Sequence, residues 1–273
     1  MSRGKSAADG GKDPRWTLVG IDCALDEQKL GLARARIDAA GKLTVERVTL
    51  GTAGESAAAS VSAWLEGAQQ YVVALNAPLG WPARLAPSLK DHRAGEPLGP
   101  SPEDLFRRQT DQLVHKAVGK WPPEVGADRI ARTAWAALGL LAEVRELSSR
   151  QLPLVLRQAE SGVIEVFPAA TLRARSLTGA GYKAKTHAGR RARAELLERL
   201  GRELSLGVTR DLLIEDPNQF DALLCVLAGA DFARGLCVPP SDLTLAKREG
   251  FIWFRSSGQG LLPYAIDGED AAD

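Results

Sequence analysis

Three carboxylates end, divide or open runs that are otherwise apolar. Asp22 closes Trp16-Thr-Leu-Val-Gly-Ile-Asp22, Glu165 divides Gly162-Val-Ile-Glu165-Val-Phe-Pro168, and Asp221 opens Asp221-Ala-Leu-Leu-Cys-Val-Leu-Ala-Gly-Ala230. A lone carboxylate taken out of water costs several kcal/mol unless it is paired, protonated or bound to a metal. Carboxylates far apart in sequence share that cost when they meet around a divalent cation. A Mg²⁺ or Mn²⁺ held this way activates water for attack on phosphorus. Asp22, Glu165 and Asp221 are therefore the candidate metal ligands, and phosphodiester hydrolysis is the candidate chemistry.

Each acid also has a plainer reading. Asp22 suits a strand-end turn. Glu165, with apolar neighbours on both strand faces, suits an edge strand or an ion pair with an arginine. Asp221 gains from the dipole near the start of a helix. Asp216, by contrast, is accounted for as a helix cap before Pro217. Asn76 ends the apolar run Tyr71-Val-Val-Ala-Leu75 and reads either as a turn residue or as a neutral oxygen ligand.

Candidate phosphate contacts come from two places. Val166 to Ala194 contains no Asp or Glu but holds Arg173, Arg175, Lys183, Lys185, Arg190, Arg191 and Arg193. Such a run is either a phosphate-facing surface or a solvated helix face. Tyr182 within it offers a ring for base stacking, or for packing. Arg107-Arg108-Gln-Thr110-Asp111 offers Arg108 and Asp111 to orient a substrate, or forms an ordinary charged helix face.

Other chemistries lack their residues. The histidines His92, His115 and His187 form no HExxH or close metal pair, and there is no GxSxG, GxxxxGK[ST] or GxGxxG. Cys23, Cys225 and Cys237 have no CxxC spacing, which fits a reduced cytoplasm. A net charge of +1 provides no overall field to attract nucleic acid or an acidic membrane. No apolar stretch reaches the ~18–20 residues that span a bilayer.

The elements that must position these residues follow from periodicity. Residues 16–22 read as a buried strand. Lys29 to Ile37 and Lys42 to Leu50 alternate and are joined by Asp38-Ala-Ala-Gly41 as a hairpin. A helix over 56–69 and a strand over 71–75 follow. From Trp81 to Val125 prolines recur at 82, 87, 97, 100, 102, 122 and 123, the mark of a loop-rich insertion holding one short helix near 103–116. Ile130, Ala134, Ala137, Leu141 and Val144 predict a helix over 128–147. Strands are expected at 154–156 and 163–167, helices at 186–200 and from Asp216 to about Arg234, and a late strand at 250–255. Residues 1–13 read as a disordered tail and 264–273 as an acidic tail. Residues 14–263 form one domain with the insertion at about 81–126.

Taken in order, Gly20-Ile-Asp22, Ala74-Leu-Asn76-Ala-Pro-Leu-Gly80, Arg108-Gln-Thr-Asp111, Val163-Ile-Glu165-Val-Phe-Pro168, Tyr182-Lys183 and Asp221-Ala-Leu resemble the domain of unknown function 429 family. That family is described as predicted nucleases with a ribonuclease H-like fold, and the resemblance covers roughly residues 16–235. It implies an α/β fold with a mixed five-stranded sheet. Its first three strands are antiparallel, the fourth returns beside the first, and helices lie on both faces. It also implies that Asp22, Asn76 and Asp221 converge, with Glu165 as a further ligand. The family commonly carries Asp where Asn76 stands, so one negative charge is missing.

The combined expectation is a Mg²⁺- or Mn²⁺-dependent nuclease. Asp22, Glu165, Asp221 and Asn76 form its centre, and Arg108, Asp111, Tyr182, Lys183, Lys185 and Arg190 hold nucleic acid or another phosphate-containing substrate. The competing expectation is a non-catalytic nucleic-acid or nucleotide-binding module with a decayed metal site, which Asn76 favours. A phosphotransferase of the actin-like sugar-kinase type is weaker, because Asp22-Cys-Ala-Leu offers no glycine for a phosphate turn.

Overall fold

A computed structural model describes residues 16–51, 55–126 and 128–256. The two expected tails lie outside the described residues. In chain order the elements are β1 (Trp16–Asp22), β2 (Gly31–Ile37), β3 (Leu43–Leu50), α1 (Ala57–Leu65), β4 (Tyr71–Leu75), α2 (Leu85–Leu89), α3 (Pro102–Phe106), α4 (Gln109–Val118) and α5 (Asp128–Ser148). After these come β5 (Gly162–Val166), α6 (Pro168–Arg173), α7 (His187–Leu200), β6 (Ser205–Leu206), α8 (Arg210–Glu215), α9 (Pro217–Ala233), α10 (Leu243–Glu249) and β7 (Ile252–Trp253).

The first three strands form an antiparallel meander. At its hairpin the Asp38 carboxylate accepts from the N–H groups of Ala40 and Lys42, both at 2.9 Å. Gly41 supplies the positive φ of 82° that the turn requires. β4 then pairs parallel to β1, and β5 parallel to β4. Among the described residues the sheet has seven strands in the order β6-β3-β2-β1-β4-β5-β7, not five. The two extra strands are two-residue edges, β6 on β3 and β7 on β5. β6 is too short to leave a period in the sequence, whereas β7 falls inside the late strand expected at 250–255. The strand expected at 154–156 reduces to a bridge between Leu154 and Val163. The insertion carries three short helices, α2 to α4, instead of one.

Helices cover both faces of the mixed sheet. Leu18, Val72 and Ala74 pack with α9 and with Leu196 and Leu200 of α7. On the opposite face Val19, Ile21, Val73 and Leu75 pack with α1 and α5. α9 is buried almost throughout. It starts where Asp216 accepts from the N–H groups of Asn218 and Gln219 at 2.8 and 3.2 Å, with Pro217 in the first turn.

Two glycines let α9 lie directly on the strands. A Cβ at Gly20 would sit 2.2 Å from the Ala222 carbonyl oxygen, and one at Gly31 would sit 2.1 Å from the Asn218 carbonyl oxygen. No side chain fits in either place. The start of α9 is thereby pressed against the end of β1. Among the described residues, no helix is long and apolar enough to cross a membrane.

Candidate active site

Strand parity decides which acids meet. Along β1, Leu18, Gly20 and Asp22 share the face that α9 covers, because alternate residues of a strand point the same way. Along β4, Val72 and Ala74 share that face, and Asn76 follows them. The Asn76 side-chain amide donates to Asp22 Oδ1 at 2.7 Å. Asp221, in the first turns of α9, lies 2% exposed beside this pair. Its Oδ1 accepts from the Tyr182 hydroxyl at 2.6 Å, and its Oδ2 meets Lys183 Nζ at 2.6 Å.

The Asp22 carboxyl is pushed up to about 8, by burial first and then by the nearby charge of Asp221, while the Asn76 hydrogen bond and Lys183 pull the other way. Burial also raises the Asp221 carboxyl, against the lowering effect of Lys183 and Tyr182. The two carboxylates thus resist being ionised together without a cation. Burial opposes the Lys183 ammonium, but the carboxylates of Asp221 and Asp22 outweigh it and keep the amine charged. Tyr182 stays protonated, since burial and the Asp221 charge drive its pKa far upward.

Glu165 departs from the expected cluster. It sits on β5 between Ile164 and Val166, which face α9, so its own side chain projects to the other face. There the Arg108 guanidinium grips both its oxygens, at 2.7 and 2.8 Å, and the Leu79 N–H donates to it at 3.0 Å. The ion pair with an arginine is the reading that the structure supports. Among the described residues, no three His, Cys, Asp or Glu side chains gather in a metal-holding set. The expected trio of Asp22, Glu165 and Asp221 is corrected to a pair, with Glu165 facing the same cleft from another layer.

Arg108 and Asp111 are likewise fastened to each other. Both are buried, and Asp111 accepts from the Arg108 backbone N–H at 2.9 Å and from its guanidinium at 2.8 and 3.2 Å. They cap the start of α4 and anchor the insertion, and Arg108 borders the same cleft. Glu249 strengthens this clasp by accepting from the N–H groups of Ala83 and Gln109 at 2.7 and 2.9 Å.

The basic run divides. Tyr182 is buried and tilted against Phe220 at 5.6 Å, so it packs and does not stack on a base. Arg193 is fully buried and donates to the carbonyls of Tyr182, Ala184, Ile214 and Glu215. Arg175 is tied to Glu203 and Asp231. Lys185 and Arg190 are more exposed and lie 3.8 and 3.6 Å from Asp216 and Glu215. Of the basic side chains in this run, only Lys183 lines the cleft that holds Asp22.

That cleft, about 660 Å³, runs along the sheet end between Asp22, Asn76, Lys183 and the start of α5. Lys29, Arg129 and Arg132 line it and were missed in the sequence. A signal existed for the last two, since they precede and lie off the apolar stripe of the helix predicted over 128–147.

Residues 20–244 match the model of the family described as Protein of unknown function (DUF429). The chain belongs to that family. The DUF429 match includes Asp22, Asn76, Glu165 and Asp221 and stops short of β7. Among solved structures, Thermus thermophilus RuvC is similar at 16% identity over 80% of this chain and 95% of that one, with a TM-score of 0.37. T. thermophilus RuvC in complex with Holliday junction substrate gives 15% identity, the same coverage and a TM-score of 0.35. The yeast mitochondrial Holliday junction resolvase Ydc2 gives 10% identity over 83% of this chain and 86% of that one, with a TM-score of 0.33. These are loose likenesses and assign no residue of this DUF429 chain. A comparison with curated proteins finds no match.

Proposed function

We propose that this chain is a metal-dependent phosphodiester hydrolase whose centre is the Asp22–Asp221 pair. The observation that carries the reading is the nearness of two buried carboxylates from β1 and α9, Asp22 lining the cleft and Asp221 buried behind it, enforced by the close approach of α9 at Gly20. The donor set fits Mg²⁺ or Mn²⁺. Mg²⁺ is usually held by one or two carboxylates and completes its shell with water and substrate phosphate. Asp22 Oδ2 has no protein partner among the described residues, and Asp22 lines the cleft. When bound, the ion supplies Lewis acidity to the phosphate and lowers the pKa of a water toward neutrality.

The remaining roles belong to this chain's own side chains. Asn76 orients the Asp22 carboxylate by its amide, and Tyr182 fixes that of Asp221. Lys183, mostly exposed and still charged, is placed to swing from Asp221 to a phosphate oxygen and offset its charge. Lys185 and Arg190 give weaker, more distant attraction to the polyanion. Glu165 acts at one remove, by holding Arg108 and the wall of the cleft.

The test is cleavage of single- and double-stranded DNA and RNA with Mg²⁺ or Mn²⁺, comparing the wild type with Asp22→Asn and Asp221→Asn. Both substitutions should abolish turnover, and turnover that survives them ends the assignment. One observation favours the non-catalytic alternative, namely that the Lys183 ammonium already sits on Asp221 where a cation would. Calorimetric titration separates the two, because a decayed site takes up no Mn²⁺ at millimolar concentration.

A further inference from the structure

α5 carries an exposed face that neither its packing nor the proposed chemistry uses. Its buried residues Ala134, Ala137, Leu141 and Val144 form one stripe, and the last three pack with the sheet and α1. Off that stripe stand Arg129, Arg132 and Trp135. Arg129 and Arg132 are exposed, line the same cleft as Asp22, and make no ion pair among the described residues. Trp135 is 71% exposed, the most exposed large hydrophobic side chain among the described residues. Residues three apart on a helix are neighbours, so Arg129 adjoins Arg132 and Arg132 adjoins Trp135. A solitary exposed tryptophan is ordinary. Here it stands on the helix beside two guanidinium groups that border the cleft and make no ion pair among the described residues.

We propose that this face of α5 is a track for single-stranded nucleic acid. Arg129 and Arg132 hold successive phosphates, Trp135 stacks an unpaired base, and the strand is led into the cleft beside Asp22 and Lys183. The proposal rests on the hydrolase reading and deepens it by naming the substrate class. A duplex is disfavoured because its base faces are already stacked, whereas every unpaired base offers a face to an aromatic ring. The acidic neighbours Asp26 and Asp128 also line the cleft and limit how far backbone attraction alone can act.

The experiment measures binding of a dye-labelled oligothymidylate and of a DNA duplex by fluorescence anisotropy in EDTA, so that catalysis plays no part. Trp135→Ala should weaken oligothymidylate binding about ten-fold while leaving the duplex unaffected, and Trp135→Phe should restore most of the loss. The Arg129→Ala/Arg132→Ala double variant should lower the slope of log affinity against log salt by about 1.4, two phosphate contacts at about 0.7 each. Circular dichroism verifies that α5 stays folded. The track is overturned if the wild type fails to bind, if Trp135→Ala leaves single-strand affinity unchanged, or if it weakens duplex equally. Cleavage is scored separately. Binding through Trp135 without turnover ends the hydrolase and keeps the track, while turnover with binding indifferent to Trp135 does the reverse.

Discussion

At the scale of single residues, the site is governed by charge confined at the end of β1. An unfolded Asp titrates near ~3.9, whereas Asp22 in the folded, metal-free chain is pushed up to about 8. Between these values the folded chain keeps a proton that the unfolded chain has released. Stability therefore falls as pH rises through that window. Asp221 is shifted in the same direction and adds to the effect. Melting temperature in EDTA should decline from about pH 4 to about pH 8, and Asp22→Asn should flatten much of that decline. Millimolar Mn²⁺ should restore the wild type at the alkaline end and do nothing for the variant. A flat wild-type profile would contradict the assignment. Arg108 presents the opposite case, a buried cation whose partners are all supplied. Arg108→Ala strands Glu165 and Asp111 and should cost about 3–5 kcal/mol in urea unfolding. A cost below 1 kcal/mol, approximately that of a surface pair, would show that the clasp is not buried.

At the scale of elements, α9 and its seat on β1 and β2 carry the argument. Gly20→Ala drives a methyl group into the Ala222 carbonyl, so α9 must lift. Overpacking of this kind costs about 1–3 kcal/mol, and the lift also parts Asp221 from Asp22. Calorimetry should show weakened Mn²⁺ uptake even where circular dichroism stays native. Undiminished uptake would mean that the close approach does not set the pair. Both elements were legible in advance, because β1 is an apolar run closed by Asp22 and Asp216-Pro217 announces the helix start, but the glycines that seat one on the other were not. The meander, β4, α5 and α7 were legible for the same reason, since their periods run long enough to count. β6 has two residues and leaves no period, while β7, equally short, was expected as part of a longer late strand over 250–255. α6 is a six-residue helix that begins at Pro168, where the apolar run of β5 conceals it. Glu165 was misplaced because the sequence shows that an acid is buried but not which face of the sheet receives it. Tyr182 and Arg193 were read as part of a surface run because one-sign charge says nothing about depth.

At the scale of the whole molecule, the late chain closes what the early chain opens. The family match stops at 244, yet β7 beyond it pairs with β5, and Trp253 is completely buried against Phe232 and Phe251 at 4.8 and 5.1 Å. Glu249 fastens the insertion from the same segment. A chain ending at residue 244 should therefore lose the cooperative unfolding transition or become insoluble on expression. A truncated protein that melts like the full chain would show that the edge strand is dispensable. The clasp also explains how a proline-rich excursion forms a wall of the cleft: its contacts are with residues more than a hundred positions away.

The tight seating of α9 also affects how mutational data will read. Gly20 and Gly31 have no reactive atom and touch no substrate, yet any larger residue there shifts the floor under Asp221. A saturation screen for activity should rank both glycines beside the acids, and ranking by tolerance alone would count four chemical participants where the proposed mechanism has two. Measuring abundance and turnover side by side in such a screen would separate the scaffold from the reagents.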